Sequence, residues 1–109
     1  MHGKLEIKFN DAAGCRVISA SGEIDMESSP ELLRLIKDGL SNYPCVKVNL
    51  KKVAYVDSSG IAVLIQGFKM ARKESARFVL VDTSAQAMSV IELSQLKSFF
   101  EFEESGGEA

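Results

Sequence analysis

This 109-residue sequence predicts an α/β fold with a mixed β-sheet, on three observations. Short stretches that alternate apolar and polar residues are separated by stretches with helical apolar spacing. The first two alternating stretches follow each other directly and read as an antiparallel hairpin. Thereafter strands and helices take turns, and helical crossovers imply parallel neighbours. The order is β-β-α-β-α-β-α-β. The chain is too short for two independent cores, so residues 1–109 read as a single domain.

Leu5, Ile7 and Phe9 alternate with Lys4, Glu6 and Lys8 in the first strand. Residues 10–14 form a five-residue turn cluster, and residues 15–20 return as the second strand. Ser28 and Glu31 have the spacing of a capping box, with Pro30 in the first helical turn. Leu32, Leu35, Ile36 and Leu40 recur at helical spacing until Asn42-Tyr43-Pro44 stops the helix. Val46, Val48 and Leu50 alternate as a third strand. Lys51 and Lys52 read as a solvated turn, after which residues 53–56 rejoin the sheet. A second helix covers about 59–74. Residues 78–81 are continuously apolar, as in a strand buried on both faces. Thr83 or Ser84 caps a third helix over about 85–93, and residues 99–102 make a last short strand. The acidic tail, 103–109, is expected to fray.

Composition narrows the function. Hydrophobic residues make up 46% and charged residues 26%, enough apolar material for a packed core. Thirteen Lys and Arg against fifteen Asp and Glu leave a net charge of −2, which argues against nucleic acid as a partner. No apolar run approaches the length needed for membrane insertion, and the N-terminus lacks the pattern of a secretory signal. Cys15 and Cys45 therefore read as reduced thiols of a cytoplasmic protein, each a small buried hydrophobe. His2 is the single histidine, so no metal site and no cofactor are expected. Enzymatic readings lack parts. A serine nucleophile has no histidine base near it, no phosphate-binding G-x-x-x-x-G-K-[ST] loop is present, and nothing orients Glu23 and Asp25 on a substrate. No residue is assigned a catalytic role.

The informative segment is Val56-Asp57-Ser58-Ser59-Gly60-Ile61: a strand end, a polar turn and a helix start. Helix N-termini carry unpaired N–H groups and a positive partial charge, so an anion is stabilised there. Gly60 is expected to keep the approach to the backbone open. The alternative is structural, with Asp57 or Ser58 acting as an N-cap. Residues 61–65 are five apolar residues in a row. Ile61, Leu64, Ile65 and Phe68 can face the sheet. Ala62 and Val63 then point elsewhere, either beneath another helix or into an exposed apolar strip that docks a partner. Lys69, Arg72 and Lys73 suit the helix C-terminus.

Asp57-Ser58-Ser59-Gly60-Ile61 resembles the D-S-[ST]-G-[LI] signature of bacterial STAS-domain anti-sigma factor antagonists. Gly22-Glu23-Ile24-Asp25 resembles a second pattern of that family, G-E-[LI]-D, and the element order is similar over residues 4–102. The resemblance implies a phosphorylation switch. The unmodified antagonist binds an anti-sigma factor that is also a serine kinase and thereby frees a sigma factor for transcription. Phosphorylation of the first motif serine, here Ser58, weakens the complex, and a serine phosphatase reverses it. Asp57, Ser59 and Gly60 then shape the switch loop. Asp25 lies on the partner-facing surface, with Ile61, Ala62 and Val63 as the docking strip. Two other readings fit the same resemblance: a scaffold subunit of a membrane lipid-transport ATPase complex, and a partner-switching relay with an output other than sigma. One departure is Gln95, where relatives often carry the glycine of a helix C-terminus.

Overall fold

A computed structural model describes residues 5–105. The chain forms β1 (Leu5–Ala12), β2 (Cys15–Ile24), α1 (Ser29–Asn42), β3 (Cys45–Val56), α2 (Ser58–Lys73), β4 (Arg77–Val81), α3 (Ala85–Leu93) and β5 (Glu101–Glu103), with one 3-10 turn, Lys97–Phe99, before β5. The sheet order is β1-β2-β3-β4-β5. β1 and β2 are antiparallel, and every later pair is parallel. The expected order of strands and helices is therefore found. The readings placed on the N-terminal residues, His2 among them, and on residues 106–109 lie outside the described residues.

The strand order explains the layering. Each crossover steps one strand further in the same direction, and right-handed crossovers of that kind put their helices on one face. All three helices accordingly feed one core. Leu32 and Ile36 of α1, Leu64 of α2 and Ile91 of α3 are fully buried with Ile18, Val46, Val48 and Leu80 of the sheet. Side chains alternate along a strand, so the opposite face receives Glu6, Lys8, Ser19, Lys47 and Asn49. β4 is apolar on both faces, as its composition suggested. Val79, between its register partners Lys47 and Glu101, is fully buried.

Several local expectations need correction. The first hairpin does not turn over five residues: Ala12 pairs with Cys15, leaving a two-residue loop of Ala13 and Gly14. Both have positive φ, 53° and 80°, the geometry that matches the twist of a tight hairpin. Lys51 and Lys52 are not a turn but part of a continuous β3. Between the pairs Ser19↔Asn49 and Ser21↔Lys52, β3 has one more residue than β2, and the excess is absorbed as a bulge. The Ser28–Glu31 capping box does not form. The Ser28 hydroxyl donates to the Glu23 carbonyl (2.8 Å), while Glu31 pairs with Arg34. Of the two candidate caps for α3, Ser84 is used, its hydroxyl accepting from the Ala87 N–H at 3.2 Å. The last strand starts at Glu101, two residues late, because residues 97–99 wind into the 3-10 turn. The expected fraying does not begin at Glu103: its carboxylate pairs with Lys47 at 3.0 Å, and the Ser105 hydroxyl donates to Asp82 at 2.6 Å.

Cys15 and Cys45 are not separate thiols. They are register partners on adjacent strands, with Cα atoms 4.5 Å apart, and the structure joins them in a disulfide. Two short apolar stretches 30 residues apart in sequence give no hint of this. Only the β2–β3 pairing brings them together. Arg16 was also not anticipated as an inward-facing charge. Its guanidinium is buried, with contacts to Asp11 (2.8 Å) and Asp38 (2.7 Å) and the Phe9 ring centroid at 4.3 Å. This cluster ties the hairpin to α1, and hydrogen bonding from Arg16 holds the Asp11 carboxyl below its ordinary pKa.

The Gln95 departure is now concrete. Gln95 adopts φ 61°, the left-handed geometry that glycine accepts at low cost, and its N–H donates to the Glu92 carbonyl at 2.9 Å. Replacing it should relieve that strain. Gln95→Gly is expected to stabilise the domain by about 0.5–1 kcal/mol, read from urea unfolding at constant m-value.

Candidate functional site

The two motifs singled out in the sequence, about 30 residues apart, meet at the carboxyl end of the parallel strands. Glu23 pairs with Tyr55 and Ile24 with Val56, so the turn after β2 and the turn after β3 emerge side by side. A backbone hydrogen bond from the Asp57 N–H to the Ile24 carbonyl (3.2 Å) ties one turn to the other. Gly22, at φ 112°, sits where the β2–β3 register slips again, which explains a glycine at the head of the first motif.

Asp57 is the N-cap of α2. It is extended (φ −108°, ψ −169°), and its Oδ1 accepts from the N–H groups of Ser59 (2.8 Å) and Gly60 (3.3 Å). The helix start is thus not an open anion cradle, because a carboxylate already holds two of its amides. Asp57→Ala should cost about 1 kcal/mol of stability, and Asp57→Asn, which can still cap, should restore most of it in thermal melts.

Ser58 is the first residue of α2, and its side chain is exposed. It makes no side-chain hydrogen bond among the described residues. The cap beside it fixes the backbone of this first turn through the N–H groups of Ser59 and Gly60, and leaves the Ser58 hydroxyl on the surface. Ser59 is half-buried. Gly60 is buried, and its role differs from the one expected. A Cβ there would lie 2.8 Å from both Ile24 Cγ2 and Val56 Cγ1 and 3.1 Å from the Ile24 carbonyl. The glycine lets the first turn of α2 sit directly on the ends of β2 and β3. It does not open the backbone to a ligand.

The expected docking strip does not exist as one surface. Ile61 and Val63 are 7% and 4% exposed and belong to the core, because α2 packs against both the sheet and α1. Only Ala62 of the three faces outward. Asp25 is half-buried. Its Oδ1 accepts from the N–H groups of Glu27 and Ser28, both at 3.0 Å, so it builds the turn into α1. Sequence reasoning missed Met26, which follows Asp25 and is 76% exposed. A methionine among polar turn residues was the available signal, since nothing in the pattern around it requires burial. No group of three His, Cys, Asp or Glu side chains that could hold a metal occurs among the described residues. No helix there is long and apolar enough to cross a membrane.

A model of the STAS domain matches residues 5–109. The chain belongs to the STAS-domain family. The curated relatives of this STAS domain include the anti-sigma-B factor antagonist of Listeria monocytogenes. It is 28% identical over 113 aligned positions, covering 99% of this chain and 95% of the relative. Among solved structures, an anti-sigma factor antagonist from Mycobacterium paratuberculosis superimposes with a TM-score of 0.81 at 27% identity, covering 92% of this chain and 86% of the other. The anti-sigma factor antagonist SpoIIAA in its unphosphorylated form shares the fold, with a TM-score of 0.77 at 17% identity over 89% of this chain and 87% of the other.

Proposed function

We propose that this STAS domain is a phosphorylation-switched antagonist of an anti-sigma factor in the bacterial cytoplasm. In its unmodified form it binds an anti-sigma factor that is also a serine kinase, and sigma factor is released. The kinase transfers the γ-phosphoryl group of ATP to Ser58 Oγ, the hydroxyl proton leaves, and ADP departs. A serine phosphatase hydrolyses the ester and resets the cycle. This chain acts as substrate and ligand in that cycle, not as catalyst.

The observation that carries the reading is the placement of Ser58. It is exposed at the first position of α2, one residue after a capping carboxylate and alongside the Asp25 turn. The curated antagonists that this chain resembles over nearly its whole length support the same role. A partner seated on this end of the sheet would meet Met26 and Ala62 as apolar contacts and Asp25 as a half-buried rim residue.

Phosphorylation adds about −1.5 to −2 charges next to Asp57. In the free domain an exposed phosphate stays hydrated, so the fold need not move. Under a docked partner the same charge must lose water against apolar surface and lies beside another carboxylate. Affinity changes while the structure stays nearly constant. The test is complex formation with the anti-sigma kinase. Ser58→Ala should bind like the unmodified protein and stay bound when ATP is added, whereas the native chain is released. Release of Ser58→Ala by ATP would refute the assignment.

A further inference from the structure

The face of the sheet opposite the helices carries a hollow of about 250 Å³ lined by Lys8, Ser19, Ser21, Asn49, Lys51 and Lys52, with Glu6 at its edge. The bulge in β3 builds it. Regular alternation would send Lys52 into the core. The extra residue re-registers the strand, so Lys52 pairs with Ser21 and both lysines end up exposed on the polar side. Asn49 pins that geometry, its Oδ1 accepting the Lys51 N–H at 2.9 Å. The floor is made of small residues, Ser19, Ala20 and Ser21, while the walls are long lysines, and this contrast makes the surface concave.

We propose that this hollow binds a soluble, phosphate-bearing small molecule. Its lining holds three lysines and one acid, Glu6, in a chain whose net charge is −2, and a second carboxylate, Asp82, stands beside it, accepting from Asn49 Nδ2 at 3.5 Å. None of the three lysines forms a salt bridge with a carboxylate among the described residues, although Lys51 lies within the field of Asp82. The Ser19 and Ser21 hydroxyls make no hydrogen bond within the described residues and stand as donors between the charges. Rotatable ammonium donors around two hydroxyls suit a tetrahedral dianion. The volume admits a phosphate with a small organic group attached, whereas a nucleic acid or a membrane would need a broad basic surface. The site lies across the sheet from α2 and is separate from Ser58.

The test is a titration of the 15N-labelled chain followed by its amide resonances, with inorganic phosphate, adenosine monophosphate, adenosine and phosphatidylglycerol vesicles as probes. Phosphate and the monophosphate should produce saturable shifts at Ser19, Ser21, Lys51 and Lys52, and adenosine should not. The exposed double variant Lys51→Gln/Lys52→Gln should weaken binding at least ~10-fold with an unchanged melting temperature. Lys69→Gln/Lys73→Gln, which removes two exposed lysines on α2, should leave it unchanged. Shifts that sodium chloride reproduces at equal ionic strength would overturn the proposal. So would equal binding of adenosine, equal loss in the α2 variant, or capture by vesicles alone.

Discussion

Ser58→Asp is expected to weaken binding of the anti-sigma kinase, and phosphorylated Ser58 to weaken it ~100–1000-fold, a penalty of about 3–4 kcal/mol. The phosphate effect should exceed that of the aspartate, which carries one charge and fewer acceptor oxygens. The magnitude comes from desolvation. Ser58 is exposed in the free domain, so either charge is solvated there at little cost. Burial beneath a partner, one residue from the Asp57 carboxylate, removes that water without supplying a counter-charge from this chain. Melting temperatures of Ser58→Asp and native protein should agree closely, because the cap hydrogen bonds run from the Ser59 and Gly60 N–H groups to Asp57 Oδ1 and do not involve the Ser58 side chain. Isothermal titration calorimetry with the kinase reads the first part, and a thermal scan reads the second. A large loss of stability in Ser58→Asp would mean that the serine is structural.

Gly60→Val should cost roughly 3 kcal/mol or more, while Ala62→Val, two residues further along the same helix, should change stability by less than about 0.5 kcal/mol. The difference follows from what each Cβ meets. At position 60 even a methyl group would press on Ile24 Cγ2 and Val56 Cγ1 at 2.8 Å, and a β-branched side chain adds two more carbons to a closed space. The Ile24 carbonyl, at 3.1 Å, limits relaxation in the remaining direction. Ala62 points to solvent. Because the first turn of α2 carries Ser58, lifting it off β2 and β3 should also reduce kinase binding. Ala62→Val keeps the fold, and a bulky charge at the same position, as in Ala62→Glu, should weaken the complex without altering the melt. Urea unfolding of the three variants separates these effects.

The parts of the architecture set by local pattern were legible from the residues. The Leu32, Leu35, Ile36 and Leu40 stripe is buried as its spacing implies, and the apolar run of β4 is covered on both faces. A polar turn before an apolar helix marked the start of α2 and left Asp57 or Ser58 as its cap, and the structure gives that place to Asp57. What escaped depends on register and on long-range packing. The bulge at Lys51 and Lys52 imitates a turn in sequence, because both break alternation. The Cys15–Cys45 contact exists only through the β2–β3 pairing. For Val63 the pattern leaves two places open, beneath another helix or in an exposed strip, because an apolar run does not say what α2 packs against besides the sheet. Its second neighbour, α1, buries the flank that one-sided amphipathicity leaves exposed. Gly60 shows the same limit, since a motif glycine signals close approach without saying whether the visitor is a ligand or a neighbouring strand.

The proposed switch depends on one hydroxyl, Ser58 Oγ, being the phosphoryl acceptor. The most direct measurement is phosphosite mapping by tandem mass spectrometry after incubation of the chain with its anti-sigma kinase and ATP. A single phosphoryl group on Ser58, absent from Ser58→Ala, is the predicted result. No incorporation, or modification of Ser59 with Ser58 untouched, would contradict it.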